Sequence, residues 1–401
     1  MIFNTSWFLL FFLIFYFFLW LMPTAQVRFY YVLTCSAIFH YHFAGPAGIK
    51  PIILMAVITY FFALWLPQIP HGSSKKKWVY GLALMVPVTG LLVYKYRALI
   101  LGSIIPFVGG PVRDWCYVNA VQVAMPLAIS FFTFEFVHYL TDVYHGHGEP
   151  IRNPFKFGIF CIFFPSIVSG PIKRFQPFLA QMEKGLERPR AQKALLGLAQ
   201  LLLGFFKKLV IADNATILIH LLEKRTDLTF GPVCLLMALL SVRILFDFSG
   251  YSDIAIGLGK MIGLDLPVNF NFPYIARNIT DFWRRWHISL SSWIRDYIYI
   301  PLGGNRYGLV RKFVNLMVTM FVCGLWHGAS WHFGLWGLYH GIGLAIHNVW
   351  EKSVAGKKWV SLGPSRWVDI AVTNVFVAYG WLLFFYPVAD VVKFTKYLFH
   401  F

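Results

Sequence analysis

Long apolar runs alternate with short polar joints along the whole chain. The first run, Trp7 to Met22, is long enough to begin a membrane span once its flanks are included. A second covers residues 29–43 and a third 51–66. Further runs recur at 78–94, 98–110, 120–140, 155–171, 195–222, 231–263, 313–326, 331–350 and 368–399, several of them short or broken by Gly and Pro. At about 20 residues per span, this pattern predicts roughly 9–12 membrane segments, some re-entrant. No stretch has the make-up of a separate soluble domain, so residues 1–401 read as one transmembrane domain. The longest polar stretch, Lys173 to Lys193, interleaves Phe175, Phe178, Leu179, Met182 and Leu186 with its charges. That is the pattern of a helix lying on a membrane surface.

Composition agrees with lipid as the solvent. Apolar residues make up 58% and charged residues 13%, about half the charged share of a soluble domain. The net charge of +18 raises the question of nucleic acid. However, the basic residues sit in short clusters between apolar runs, as at Lys75-Lys76-Lys77 and Lys357-Lys358, and form no basic-aromatic module. Cytoplasmic loops facing anionic lipid have that arrangement, and a nucleic acid partner is not expected. Trp78-Val79-Tyr80 and Tyr94-Lys95-Tyr96 end apolar runs, as interfacial belts do. The N-terminal run has no basic segment before it and no small-residue cleavage site after it, so it does not read as a signal peptide. Arg28, directly after it, orients the N-terminus outward and Arg28 to the cytoplasm. Cys35, Cys116, Cys161, Cys234 and Cys323 are scattered and form no CxxC, which reads as inert buried thiols.

Residues 265–311 differ from the rest. They hold Asn269, Asn271, Asn278, Asp281, Arg284, Arg285, His287, Arg295 and Asp296 among Phe270, Trp283, Trp286, Trp293 and Tyr299. The stretch is too polar to face lipid and too aromatic for a solvated loop. It predicts short buried or re-entrant helices around a cavity. Within it, Asn278 or Thr280 suits a helix cap, and Asp281 and Arg285 stand four apart and can pair. His287 then needs a polar partner if it is buried.

Trp326-His327-Gly328-Ala329-Ser330-Trp331 closes an apolar run. An ionisable residue at such a place is a candidate for chemistry, and a histidine can act as a general base near neutral pH. Gly328 and Ala329 leave room for a ligand or a neighbouring backbone. A packed histidine bonded to a carbonyl explains the same residues. Ser330 lacks the surroundings of an activated nucleophile and reads as a hydrogen-bonding residue.

Other chemistries are weaker. His327 and His332, five apart, stand about 140° apart around a helix, the wrong face for a zinc pair, and there is no HExxH. His145 and His147 lie in a Gly-rich loop that suits an interfacial loop better than a metal. His327 and His340, thirteen apart on one helix, would suit haem ligands, but no second helix offers a matching pair. A transporter is the alternative from another class, although the two halves show no hydropathy symmetry.

Several segments resemble the bacterial branch of the membrane-bound O-acyltransferases. They are Phe164 to Ile172, Phe246-Asp247-Phe248-Ser249-Gly250-Tyr251-Ser252-Asp253, Asp281 to Trp293, Tyr299 to Arg306 and Trp326 to Trp331. The resemblance runs from the N-terminus to about Trp350. Within the branch the chain is most similar to alginate O-acetylation subunits, through Tyr299 to Arg306, and to those for cellulose and peptidoglycan. The D-alanyl transfer proteins of teichoic acid share the FDFxGYS and RWH segments. Alginate-type subunits often continue further at the C-terminus than this chain does.

The resemblance implies an all-α polytopic fold of about eleven transmembrane helices, with re-entrant helices around a central funnel. It implies His327 as the catalytic histidine and His287 as its support, with Trp283, Arg284, Arg285, Trp286, Trp326 and Trp331 as substrate-binding neighbours. It implies no bound cofactor. Acetyl-CoA or an acyl carrier protein presents a thioester on the cytoplasmic side of the bacterial inner membrane. A periplasmic SGNH-type acetyltransferase partner, and an extracytoplasmic polysaccharide or peptidoglycan, receive the acyl group. D-alanyl transfer to teichoic acid is the alternative reaction.

Overall fold

The computed structural model describes residues 2–399 apart from 121–124, 169, 185, 188, 226–227 and 355–364, with backbone alone at 352–354 and 365. Ser169, Arg188 and the Lys357-Lys358 cluster therefore lie outside the described residues. Among the described residues there is no strand. The helices run in order α1 (Ser6–Leu19), α2 (Ala25–Trp65), α3 (Ser74–Leu91), α4 (Arg97–Ile104), α5 (Gly110–Asn119) and α6 (Ile129–His145). Next come α7 (Pro154–Ile162), α8 (Phe175–Glu183), α9 (Ala191–Phe205), α10 (Asp213–Glu223), α11 (Phe230–Ile262) and α12 (Ile279–Arg285). The last five are α13 (Ile288–Ile294), α14 (Gly308–His327), α15 (Trp331–Val354), α16 (Ser365–Phe385) and α17 (Val388–Phe399).

Six helical stretches among the described residues are long and apolar enough to cross a membrane: Ala25–Gln68, Ser74–Phe107, Ala191–Glu223, Phe230–Ile262, Gly308–His327 and Arg366–Phe385. The apolar runs in the sequence outnumber these stretches. Residues 29–43 and 51–66, two runs in the sequence, lie on either side of Gly45, whose non-helical backbone (φ 65°, ψ 172°) breaks α2 in two before Pro46. The run at 7–22 yields α1 of 14 residues, about 21 Å long at 1.5 Å per residue, which is shorter than the hydrocarbon core.

The chain forms two compact units. The first comprises residues 1–202 and 253–267. Its core is aromatic: Phe39 and Phe15 both pack on Phe164, at 5.5 Å and 5.1 Å between ring centroids. The surface-helix reading of 173–193 turns its apolar side chains inward, and α8 buries Phe175, Phe178 and Met182. It fails for Lys173, which is buried, ion-paired with Glu135 of α6 and placed over the rings of Phe160 and Phe178. Two charges leave water together here because each satisfies the other. Lys76, too, is not a free loop lysine. It is 2% exposed, with its ammonium on His71 and over the Tyr144 ring.

The second unit comprises residues 203–252 and 268–401. Between α9 and α10 the backbone is π-helical over Phe206–Ala212, and Lys208 in that turn reaches both Asp213 (2.6 Å) and Asp247 of α11 (2.7 Å). The charges lie inside apolar spans and are compensated locally, as intramembrane charges must be. The helices α14 and α15 form a tight hairpin. A β-carbon on Gly324 would overlap the Phe333 carbonyl, and one on Gly337 the Met320 carbonyl. Glycine is required there because the two backbones touch.

Candidate active site

The second unit holds every site residue that the family resemblance implies, while His145 and His147 lie in the first. Asn278 caps α12, its side chain accepting from the Asp281 amide, while Thr280 lies inside the helix. The Arg285 Nε donates to the Asp281 carboxylate at 2.8 Å, as their spacing predicts. After about two turns the helix stops. His287 adopts the left-handed conformation (φ 43°, ψ 54°), and α13 starts at once. Left-handed backbone is costly for a residue with a β-carbon. A single such residue between two seven-residue helices sets the angle at which they meet.

His287 is 1% exposed, and among the described residues neither ring nitrogen has a hydrogen-bond partner. The sequence predicts a polar partner for it if buried, and the protein supplies none. Its ring meets Phe248 edge-on at 4.5 Å and Trp326 at 5.9 Å. Complete burial, together with the nearby His327, holds this imidazole well below the usual histidine range, so it is neutral near pH 7.

His327 is the last residue of α14. Its ring packs against Trp326 (4.9 Å), Trp336 (5.2 Å, perpendicular) and Phe384 (5.1 Å). Trp326 therefore touches both histidines, and the two imidazoles share one aromatic cluster. On its other side Trp336 packs on His340 at 4.9 Å, and His340 on Trp283 at 5.3 Å. His340 is fully buried, with no hydrogen-bond partner on either nitrogen.

A cavity of about 400 Å³ lies against α12, α13, α14 and α15. Its α14 wall is Leu316, Met320 and Cys323. His327 follows Cys323 by four residues, so this stripe of one helix face ends on it. Trp283, Arg284, Arg295 and Tyr299 line the cavity as well. So does Thr319, whose hydroxyl is buried without a partner, as is the Trp283 indole N–H. Buried donors left unpaired on a cavity wall are ready to bond an occupant.

The remaining sequence candidates have other surroundings. Trp286 packs among Phe282, Phe270 and Trp381. Arg285 is occupied by Asp281. Trp331 is 52% exposed at the start of α15. The side of Gly328 is filled by the Phe333 ring, neither a ligand nor a backbone. The Ser330 hydroxyl lies 3.3 Å from His332, the hydrogen-bonding role expected of it. The haem reading loses its premise, since His327 ends α14 while His340 lies in α15. Among the described residues no three His, Cys, Asp or Glu converge as a metal site. Sequence reasoning missed Trp336, Trp381 and Phe384, which complete the aromatic cluster. Their one signal was the spacing of Trp336 and His340, four residues apart on one helix face.

Phe248 and Ser252, also one turn apart on α11, account for part of the FDFSGYSD segment. Phe248 touches His287, and the Ser252 hydroxyl accepts from the Asn269 amide at 3.1 Å.

The second unit thus brings two histidines into one aromatic cluster, with neither of them on the wall of the cavity itself. Residues 8–386 match the membrane-bound O-acyltransferase family, and the chain belongs to it. It is a membrane-embedded acyltransferase, which replaces the transporter reading. It is 36% identical over 385 residues to a probable alginate O-acetylase of Azotobacter vinelandii, covering 96% of this chain and 75% of that one. It is 33% identical to a peptidoglycan O-acetyltransferase of Helicobacter pylori, covering 88% of this chain and 70% of that one. A teichoic acid D-alanyltransferase of Bacillus subtilis is 30% identical, covering 74% and 76% respectively.

Proposed function

We propose that the protein moves an acetyl group from a cytoplasmic thioester to a hydroxyl acceptor outside the bacterial inner membrane, with His327 as general base. The observation that carries this reading is the meeting of His327 and His287 across Trp326, where the α14 wall of the cavity ends. Acetyl-CoA or an acyl carrier protein presents the donor. Arg284 on the cavity wall favours its phosphate, and the unpaired Trp283 and Thr319 groups suit the amides of a pantetheine arm.

In the reaction the acceptor oxygen attacks the thioester carbonyl while its proton passes to a His327 nitrogen. The carbon–sulfur bond breaks, and the departing thiolate takes a proton back from the imidazolium. His287, neutral and unpaired within the protein, has an N–H free for the oxyanion that forms on the carbonyl. Its depressed basicity keeps it a donor rather than a competing base. The acceptor is a serine of a periplasmic SGNH-type partner, which passes the group to a polysaccharide or peptidoglycan. The similarity to alginate and peptidoglycan O-acetylating proteins supports acetyl as the cargo.

The test supplies radiolabelled acetyl-CoA to membranes carrying wild-type protein, His327→Ala or neither, with candidate periplasmic partners. Label on a partner or glycan with the wild type alone supports the reading. Transfer only from a D-alanyl carrier protein moves the assignment to the teichoic acid reaction, which the third relative represents. Equal transfer by His327→Ala removes His327 as the base.

A further inference from the structure

We propose that Asn269 is a positioning residue for the reaction, holding the His287 imidazole in place through the backbone on either side of it. The proposal rests on the role given to His287 above. Among the described residues no side chain or neighbouring backbone group bonds either His287 nitrogen, so its ring lacks a polar tether from the surrounding elements. The two helices it joins have only seven residues each, too short to hold a left-handed turn by themselves. What pins the turn is the extended segment before α12. The Asn269 carbonyl accepts from the Ile288 amide at 2.9 Å, and the Asn271 amide donates to the Arg285 carbonyl at 3.0 Å. These two rungs bracket Trp286 and His287.

The Asn269 side chain adds the second half of the clamp. Its Oδ1 accepts from the Ser289 amide (3.3 Å) and the Ser289 hydroxyl (2.6 Å). Its Nδ2 donates to the Ser252 hydroxyl of α11 (3.1 Å). Asn269, Ser289 and Ser252 are all buried. The same turn of α11 presents Phe248 to the His287 ring. One amide thus locks the residues after His287 to the helix whose phenyl group supports His287. Asparagine suits this position because it offers two acceptor sites and a donor on one short neutral group. Alanine offers neither, and aspartate loses the donor and buries a charge.

The test has two readouts. In the first, acyl transfer from radiolabelled acetyl-CoA is measured for wild type, Asn269→Ala, His287→Ala and the double variant, at equal amounts of monodisperse protein. Asn269→Ala is expected to lower kcat by roughly 10- to 100-fold, the scale of a misplaced reacting group, with the KM for acetyl-CoA unchanged. In the His287→Ala background it should cost nothing further. In the second, diethylpyrocarbonate labelling is read residue by residue by mass spectrometry. Asn269→Ala should expose His287 to labelling at least about tenfold faster, while buried His340 stays protected; both thresholds follow the same displacement argument. Ser289→Ala, which removes one bond, should repeat both changes in smaller measure if Asn269→Ala folds poorly. Equal fractional losses in the two backgrounds, or labelling that rises at His340 as much as at His287, overturn the proposal. If His287→Ala keeps full activity while Asn269→Ala still unmasks His287, the role of His287 falls, and with it the positioning role, although the clamp itself stands.

Discussion

The Phe248 ring meets the His287 imidazole edge-on, centroids 4.5 Å apart and planes at 79°. The contact joins a spanning helix to a turn between two short ones, and it places an apolar surface against the ring face of an otherwise untethered histidine. Removing that surface should let the imidazole drift. Phe248→Ala is expected to lower kcat by roughly tenfold, and Phe248→Leu, which keeps bulk, by less. Steady-state acyl transfer with matched protein amounts is the measurement. An unchanged kcat in Phe248→Ala would show that the phenyl ring does not support His287.

His327→Ala should lose about 10²–10⁴-fold in acyl transfer, the range for a general base, while the protein inserts and extracts normally. The ring is only partly buried where it ends α14 against Trp326, Trp336 and Phe384. Loss of the protein from the membrane in parallel with activity would point to a packing residue.

Stability should fall in mild acid because of His287. Burial and the neighbouring His327 depress its basicity in the folded state, while the unfolded chain takes up a proton near pH 6.5. Above that pH neither state is protonated at His287, and its stability contribution is complete. As pH falls below it, the unfolded state binds more protons, and stability drops by up to about 1.4 kcal/mol per pH unit. Thermal unfolding in detergent at pH 7.5 and 5 checks this. His287→Gln, which takes no proton, should show a shallower loss.

Gly324→Ala should separate α14 from α15, because the added methyl overlaps the Phe333 carbonyl. The expected cost is about 1–3 kcal/mol, the usual price of overpacking, seen as a lower unfolding temperature. Gly81→Ala is the control. A β-carbon at Gly81 meets nothing within 4 Å, and the variant should be neutral or slightly stabilising.

Glu135→Leu leaves Lys173 buried as an uncompensated charge and should destabilise by about 3–5 kcal/mol. Adding Lys173→Met should restore most of that. Yield of monodisperse protein and unfolding temperature distinguish the single from the double variant. If the double variant is no better than the single, the pair contributes more than mutual charge compensation.

Much of the protein was legible in one dimension. The apolar runs specified a helical membrane chain, because lipid leaves a backbone no other way to satisfy its own polar groups. The Asn278 cap and the Asp281–Arg285 pair followed from local spacing, since helix geometry alone brings those groups together. His327 was visible because an ionisable residue stood at the end of an apolar run. Other features needed the third dimension. Lys173 and Lys76 look like solvated charges until Glu135, His71 and Tyr144 arrive from elsewhere in the chain. The break at Gly45, with its positive φ, is what turns the two halves of α2 apart. The cluster around the histidines joins Phe248, His287, Trp326, Trp336 and Phe384 across more than a hundred residues. No periodicity encodes that meeting, because it depends on how helices pack and not on how any one of them is formed.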